Sequence, residues 1–99
     1  MIIRFYAQAL RELREAEWYI EERRPQWGKK FRQEVDATLH FILDRASKSA
    51  SYRKSGSGSE KVERFPYRVY FKIVGKELRI RAIYHSSRKD GGWKRRKFS

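Results

Sequence analysis

The stretch YRVYFKIVGKELRIRAIYH, residues 67–85, decides the fold because it contains two runs of alternating apolar and polar residues. A period of two predicts β-strands, here over residues 67–73 and 78–85. Gly75-Lys76 between the runs provides the flexible point of a tight hairpin. We therefore expect two antiparallel strands, each with one apolar face.

The alternation also predicts which side chains share a face of these strands. The apolar face is expected to carry Val69, Phe71, Ile73, Leu78, Ile80, Ala82 and Tyr84. The opposite, outer face is expected to carry Arg68, Tyr70, Lys72, Arg79, Arg81, Ile83 and His85. This pattern predicts a basic and partly aromatic outer surface on the sheet.

Two amphipathic helices are predicted before the hairpin. Residues 2–6 alternate as a short first strand, and from Ala7 apolar residues recur every three to four positions. This periodicity predicts a helix that ends near residues 23–24. Pro25 cannot continue that helix but suits the first turn of another. A second helix is therefore expected from Pro25 or the residue after it to about Arg45, antiparallel to the first because the connection is short.

Residues 47–59 are small and polar and predict a flexible connection that buries little. Tyr52 within it is expected either to start a short strand or to cover the end of the second helix. The Gly-Ser run is not expected to be a domain boundary, because neither side is large enough to form a comfortable core alone. Packing the helices on the strands predicts one α+β domain over residues 1–99, in which a short N-terminal strand and an antiparallel helical hairpin cover a small, mainly antiparallel sheet.

Positive charge is concentrated in the second half of the chain. Residues 1–50 carry ten Lys/Arg against eight Asp/Glu, whereas residues 51–99 carry fifteen against four, and the whole chain has a net charge of +13. Such an excess repels itself in the folded state and indicates an anionic partner. Nucleic acid, an acidic protein or an anionic membrane surface would each neutralise it.

Several classes of protein are disfavoured by what the sequence contains. Cysteine is absent, and His40 and His85 are too far apart to form a metal-binding signature, so neither a metal nor another cofactor is expected. No signal-peptide pattern follows Met1, and no apolar run reaches the roughly 18–20 residues that a membrane span needs. We expect a cytoplasmic protein that does not associate with membranes.

Four residues of the hairpin are candidates for chemistry. Arg68, Arg79 and Arg81 suit anion binding, because guanidinium groups match phosphate oxygens in bidentate geometry. The alternative is a solvated sheet face that prevents edge strands from associating. His85 is a candidate general acid or base, or else a structural histidine that bonds the following turn.

The flanking segments carry weaker signals. Glu60 and Glu63 are remote candidates for a nuclease base, since a carboxylate there more often pairs with a neighbouring cation. The run KRRK, residues 94–97, is either a contact for nucleic acid or a solvated end. Trp93 before it is expected to anchor the tail against the sheet.

Several short motifs, in this order and spacing, resemble the RelE/ParE toxin superfamily. Residues 64–71, RFPYRVYF, look like the family's Phe-Pro-Tyr strand, and residues 80–88, IRAIYHSSR, are similar to its following strand with a His-x-x-Arg ending. Residues 93–96, WKRR, are similar to its closing Trp and Arg, and residues 27–31 fit the Trp-Gly-x-x-Phe opening of its second helix. The resemblance covers nearly the whole chain.

The resemblance implies the toxin of a type II toxin–antitoxin system, with roles in growth inhibition and plasmid stabilization. Its expected partner is a cognate acidic antitoxin, whose C-terminal segment typically wraps the toxin's helices and sheet in a hetero-oligomer. ParE-like members inhibit DNA gyrase and are not nucleases, whereas RelE-like members enter the ribosome and cleave mRNA. The Phe-Pro-Tyr strand, the His-x-x-Arg turn and the closing Trp favour the ParE-like function.

The two mechanisms assign different roles to the candidate residues. In a RelE-like enzyme, Arg68 and Arg81 would stabilise the scissile phosphate and His85 would transfer a proton. This chain lacks the terminal tyrosine that some nuclease members use. In a ParE-like toxin, or in a non-toxic basic domain that binds nucleic acid, the surface for the target is expected to comprise Lys72, Arg79, Arg88, Trp93, Arg95 and Arg96.

Overall fold

The computed structural model describes residues 1–98. Its elements in chain order are β1 (Ile2–Phe5), α1 (Ala7–Arg23), α2 (Trp27–Lys48), α3 (Ala50–Ser55), β2 (Ser57–Lys61), β3 (Tyr67–Val74), β4 (Glu77–His85) and a 3-10 turn (Gly92–Arg95). The strands form a sheet in the order β1-β4-β3-β2, in which β1 is parallel to β4 and the other pairs are antiparallel. The helices α1 and α2 cover one face of this sheet, which confirms the predicted α+β fold.

The apolar stripes predicted for the two long helices form the core. The stripe of α2 is buried throughout, with Phe31, Val35, Leu39 and Ile42 each at most 5% exposed. The stripe of α1 is centred on Leu13, which is 1% exposed and packs in the same cluster as the inner face of β3 and β4. Burial of these side chains against the sheet provides most of the stabilisation that short helices lack in isolation.

A carboxylate from α1 fixes the turn into α2. Glu21 accepts hydrogen bonds from the amide N–H of Gln26 at 2.8 Å and of Gly28 at 3.0 Å, which satisfies two donors at the start of α2. Gln26 has a positive φ of 75° and lies outside the helix. The helix therefore begins at Trp27 rather than at Pro25 or the residue after it, and it continues past Arg45 to Lys48.

The prediction of a flexible connection over residues 47–59 was wrong. Ser49 caps α3, its Oγ accepting from the amide N–H of Tyr52 at 3.2 Å, and the ring of Tyr52 stacks on Phe71 with centroids 5.9 Å apart. The Gly-Ser run then forms the edge strand β2, paired with β3. Gly58 fits there because a Cβ would lie only 3.1 Å from the ring of Phe71. Backbone pairing, which needs no apolar alternation, holds this strand.

A β-bulge interrupts the pairing of β3 with β4. Tyr70 pairs with Ala82 and the next residue, Phe71, pairs with Ile80, so the register skips Arg81. An inserted residue of this kind shifts the alternation of the bulged strand by one position. The faces predicted for β4 are therefore correct up to Ile80 and reversed after Arg81.

Because of the bulge, the faces predicted for four residues at the end of β4 were wrong. Ile83, predicted on the outer face, is 3% exposed and belongs to the hydrophobic core. Ala82 and Tyr84, predicted on the inner face, lie on the outer face instead, since neighbouring residues of a strand point to opposite sides. His85 follows Ile83 to the helix side of the sheet and lines a cleft with residues of α1. The prediction failed because a period of two holds only while the register is unbroken.

Candidate functional site

The chain after β4 folds back over the outer face of the sheet as a segment that we call the C-terminal strap, residues 86–98. Trp93 anchors it, as predicted, with its ring centroid 4.5 Å from that of Tyr70. Near the end of the strap, Phe98 packs against Arg79, whose guanidinium carbon lies 4.2 Å from the ring centroid. The outer face is therefore partly covered by the strap rather than openly basic.

Guanidinium groups stack on aromatic rings where the strap meets the sheet. The guanidinium carbon of Arg81 lies 4.9 Å from the ring centroid of Trp93, and that of Arg88 lies 3.8 Å from the ring centroid of Tyr84. Such contacts are attractive because the face of an aromatic ring carries partial negative charge. The Oη of Tyr84 and the Nε of Arg81 are buried and have no hydrogen-bond partner among the described residues.

An ion pair ties the strap to α1. Both Nη atoms of Arg96 donate to the carboxylate of Glu12, at 2.9 Å and 2.6 Å, and Nη1 also donates to the carbonyl oxygen of Arg81 at 3.0 Å. The two charged side chains are only 14% and 15% exposed. The hydrogen bonds to Glu12 raise the pKa of Arg96 above its ordinary value. Arg96, predicted to contact a target, is thus largely engaged inside the molecule.

The three candidate catalytic residues are not directed to one point. Arg68 lies on the outer face and donates from Nε and Nη2 to the Oγ of Ser59 at 3.2 Å and 3.1 Å. Arg81, at the bulge, donates to the carbonyl oxygen of Lys94 at 3.0 Å. His85 lies on the helix side of the sheet because of the bulge. No common centre for a scissile phosphate is formed by these three groups.

His85 has the contacts expected of the structural alternative. Its Nδ1 accepts from the amide N–H of Ser87 at 3.1 Å and lies 2.7 Å from the Oγ of Ser87, and its ring is edge-on to Tyr67 at 5.2 Å. With Nδ1 accepting, a neutral His85 carries its proton on Nε2. The histidine therefore bonds the turn that follows β4, while the exposed side of its ring stays accessible.

The remaining residues predicted to contact a target differ in how freely they are displayed. Arg79 donates to Glu77 at 2.9 Å, and this hydrogen bond keeps the pKa of the Glu77 carboxyl below its usual value. Arg88 is 49% exposed and pairs with Asp90 at 2.7 Å. Lys72 and Arg95 are exposed, and within residues 1–98 no carboxylate lies within ion-pair distance of either.

A groove that the sequence did not predict lies on the helix side of the sheet. It runs between α1 and the open end of the β3–β4 hairpin, where β3 begins and β4 ends. Two clefts of about 250 and 240 Å³ adjoin there and share Tyr19, Tyr67 and His85. The walls of the larger cleft are mainly apolar and include the ring of Trp27, while Arg24 lies at its rim. Burial raises the pKa of Tyr67. The larger cleft is suited to an apolar segment with acidic residues placed near Arg24.

Over residues 1–98, no cluster of three or more His, Cys, Asp or Glu side chains is placed to hold a metal ion. The helices of the described chain include none with the length and hydropathy needed to span a bilayer.

Comparison with solved structures gives a likeness over most of the chain. The fold superposes with a TM-score of 0.69 on a chain from "Chromosomal ParDE TA system from P. aeruginosa", covering 86% of this chain and 95% of that one at 20% sequence identity. No protein-family model matches this sequence, and no curated protein matches it either. The likeness supports the RelE/ParE-like fold expected from the motifs, and at this identity it shows the fold alone.

Proposed function

We propose that this chain is the toxin of a type II toxin–antitoxin system and that it is ParE-like, inhibiting growth by binding DNA gyrase. The observation that carries the proposal is the fold shared with a chain of a ParDE toxin–antitoxin system across 86% of this chain. The motifs at residues 64–71 and 80–88 support it from the sequence. A protein that acts on gyrase works in the cytoplasm, where the bacterial chromosome lies.

Binding is favoured over catalysis by the arrangement of the candidate residues. A ribonuclease needs its phosphate-stabilising and proton-transferring groups around one reacting phosphate. The bulge at Arg81 instead places His85 on the helix side, opposite the face that carries Arg68. The basic outer face and strap, with Lys72 and Arg95 exposed, suit the recognition of a large anionic surface.

A cognate acidic antitoxin is the proposed partner of the helix-side groove. The apolar walls of the groove, formed in part by Trp27 and Tyr67, would accept apolar side chains of a segment that folds on binding. Arg24 and Arg64 at the rim would pair with acidic residues beside that segment. The antitoxin and the target would then occupy different faces of the sheet.

One observation favours a RelE-like mRNA endonuclease as the second candidate. His85 and Arg88 line the same helix-side cleft, together with Tyr67. A histidine, an arginine and a tyrosine in one cleft are groups that can transfer a proton and stabilise a phosphate. In that function the ribosome and mRNA would replace gyrase as the target.

Expression of the chain under a tight promoter separates these functions. A gyrase inhibitor is expected to stop growth, relax a reporter plasmid in cells and inhibit supercoiling by purified gyrase, while the 5′ ends of transcripts stay unchanged. Co-expression of a small acidic protein encoded next to the chain's gene should restore growth. Cleaved transcripts with normal supercoiling would refute the gyrase proposal and support the endonuclease.

Matched charge reversals sharpen the test. Arg95→Glu changes an exposed cation of the strap, whereas Lys54→Glu changes an exposed cation of α3, away from the outer face, by the same two charge units. We expect the strap variant to weaken inhibition of gyrase by about tenfold, within the range seen for single charges at interfaces, and the α3 variant to leave it unchanged. Equal effects of both variants would indicate net charge alone rather than a defined surface.

A further inference from the structure

The carboxylate of Glu12 is contacted by two separate parts of the chain, the strap and β4. It accepts from both Nη atoms of Arg96 in the strap, at 2.9 Å and 2.6 Å, and from the backbone N–H of Ile83 in β4, at 3.1 Å. Arg88, at the start of the strap, lies 3.6 Å away. A carboxylate that is only 15% exposed and is bonded in this way is costly to leave without its partners.

These bonds satisfy backbone groups of β4 at an edge that the short strand β1 does not cover. β1 pairs with residues 77–80 of β4, and among residues 1–98 no strand pairs with the next residues of β4 on that side. The N–H of Ile83 is satisfied there by Glu12, and the carbonyl oxygen of Arg81 by Arg96. The strap is therefore bonded to the body of the protein at this edge as well as through Trp93.

The strap has an inner and an outer side. On the inner side, Trp93, Arg96 and Phe98 make the contacts with the body described above, and Arg88, although 49% exposed, lies 3.6 Å from Glu12. Lys89, Lys94, Arg95 and Lys97 are exposed, and none has a carboxylate within ion-pair distance in the chain from residue 1 to residue 98. Because the inner side chains hold the strap in place, the four exposed cations on its outer side also have fixed positions.

We propose that Glu12 is a positioning residue for the action of this protein on its target. It holds the strap against β4 so that the four exposed cations are presented as one fixed array, and this array contacts the target. A preformed array binds more tightly than a mobile basic tail of the same charge, because the ordering entropy has already been lost in folding. The inference rests on the proposed function, since the activity that it modulates is inhibition of gyrase.

The test compares Glu12→Gln with Glu15→Gln. Both variants remove one negative charge from α1. Glu15 lies within one helical turn of Glu12, but it is exposed and makes no ion pair within the described chain. Limited trypsin digestion reports on the strap directly, because its lysines and Arg95 are cleavage sites. Their side chains are exposed, but the docked backbone is protected from cleavage until the strap detaches. Inhibition of purified gyrase reports on the activity.

We expect Glu12→Gln to speed cleavage within the strap by about tenfold and to raise the inhibitory concentration by about tenfold, as for the loss of a contacting charged pair. Glu15→Gln should behave as wild type in both assays. Arg96→Gln removes the same contact from the strap side and should match Glu12→Gln, and the double variant should add little to either. Arg96→Lys, which keeps the charge but loses the paired geometry, should lie between Arg96→Gln and wild type.

Two results would overturn the inference while the proposed function stands. The first is a Glu12→Gln protein whose strap is cleaved faster but which inhibits gyrase as well as wild type. The second is a strap that stays protected in both Glu12→Gln and Arg96→Gln. If Glu12→Gln does not fold, the cleavage rates and inhibitory concentrations of Arg96→Gln and Arg96→Lys test the inference in the same way. A wild-type protein that does not inhibit gyrase refutes the proposed function, and this inference with it.

Discussion

Replacing Gly28 with alanine is expected to weaken the contact between α1 and α2. A Cβ at this position would lie 2.8 Å from the backbone carbonyl oxygen of Glu17 and 2.9 Å from Oε1 of Glu21. The carbonyl oxygen belongs to the middle of α1 and cannot move alone. The Glu21 carboxylate can move only by giving up its hydrogen bonds to the amide N–H groups of Gln26 and Gly28.

The magnitude follows from three effects of the added methyl group. Overpacking of a close contact costs about 1–3 kcal/mol. The loss of one hydrogen bond from Glu21 adds about 1 kcal/mol, and the better helix propensity of alanine offsets about 1 kcal/mol. The free energy of unfolding should therefore fall by about 2 kcal/mol, which for a chain of this size lowers Tm by about 8–16 °C.

Urea unfolding followed by circular dichroism measures this change. The matched control is Ala37→Gly at an exposed position of α2, which reports on helix propensity alone and should lose about 1 kcal/mol. A Gly28→Ala protein that unfolds at the same or a higher urea concentration than wild type, with an unchanged m-value, would show that the two helices do not approach this closely.

Three further changes test other parts of the structure. Tyr84→Phe removes a buried hydroxyl that has no partner among residues 1–98, so urea unfolding should show stability unchanged or raised by up to about 2 kcal/mol, and a loss above about 1 kcal/mol would reveal a hidden partner. Burial and the hydrogen bond to Glu60 raise the pKa of Tyr52 from 10.0 to about 12, so its contribution to stability is present below pH 10 and is lost as the pH rises towards 12. Glu60→Gln should lower that pKa in a spectrophotometric titration, and an unchanged titration would contradict the contact. Phe31→Ala empties a site that is 0% exposed and should cost about 3–5 kcal/mol by calorimetry, whereas a cost below about 1 kcal/mol would place Phe31 outside the core.

Local patterns predicted the elements of the fold where one face of an element is apolar. Four of the buried residues of α2 and both strands of the β3–β4 hairpin follow directly from their spacing. Strand β2 was missed because Gly58 and its neighbours have no apolar alternation, and its stability comes from pairing with a strand further along the chain. The Trp-Gly-x-x-Phe motif resembles a family pattern, and the close approach of α1 at Gly28 gives a physical reason for its glycine.

The candidate site was less predictable because its geometry depends on one inserted residue and on contacts between distant positions. The alternation of β4 gave no sign that Arg81 is a bulge, yet the bulge moves His85 to the other face of the sheet. Nothing local links Glu12 with Arg96, which lies 84 residues away in the sequence. The sequence predicted that the tail is basic. Only the structure separates the exposed cations of the strap from the arginines that contact the body of the protein.

The parallel pairing of β1 with β4 also determines when the molecule can take shape during translation. Residues 2–5 leave the ribosome long before residues 77–80, the segment with which they pair, and the bond from Arg96 to Glu12 forms later still. Contacts between such distant positions form slowly and only after the intervening chain is available. In the proposed toxin, the docked strap and its fixed array of cations would thus form only after residue 96 has left the ribosome.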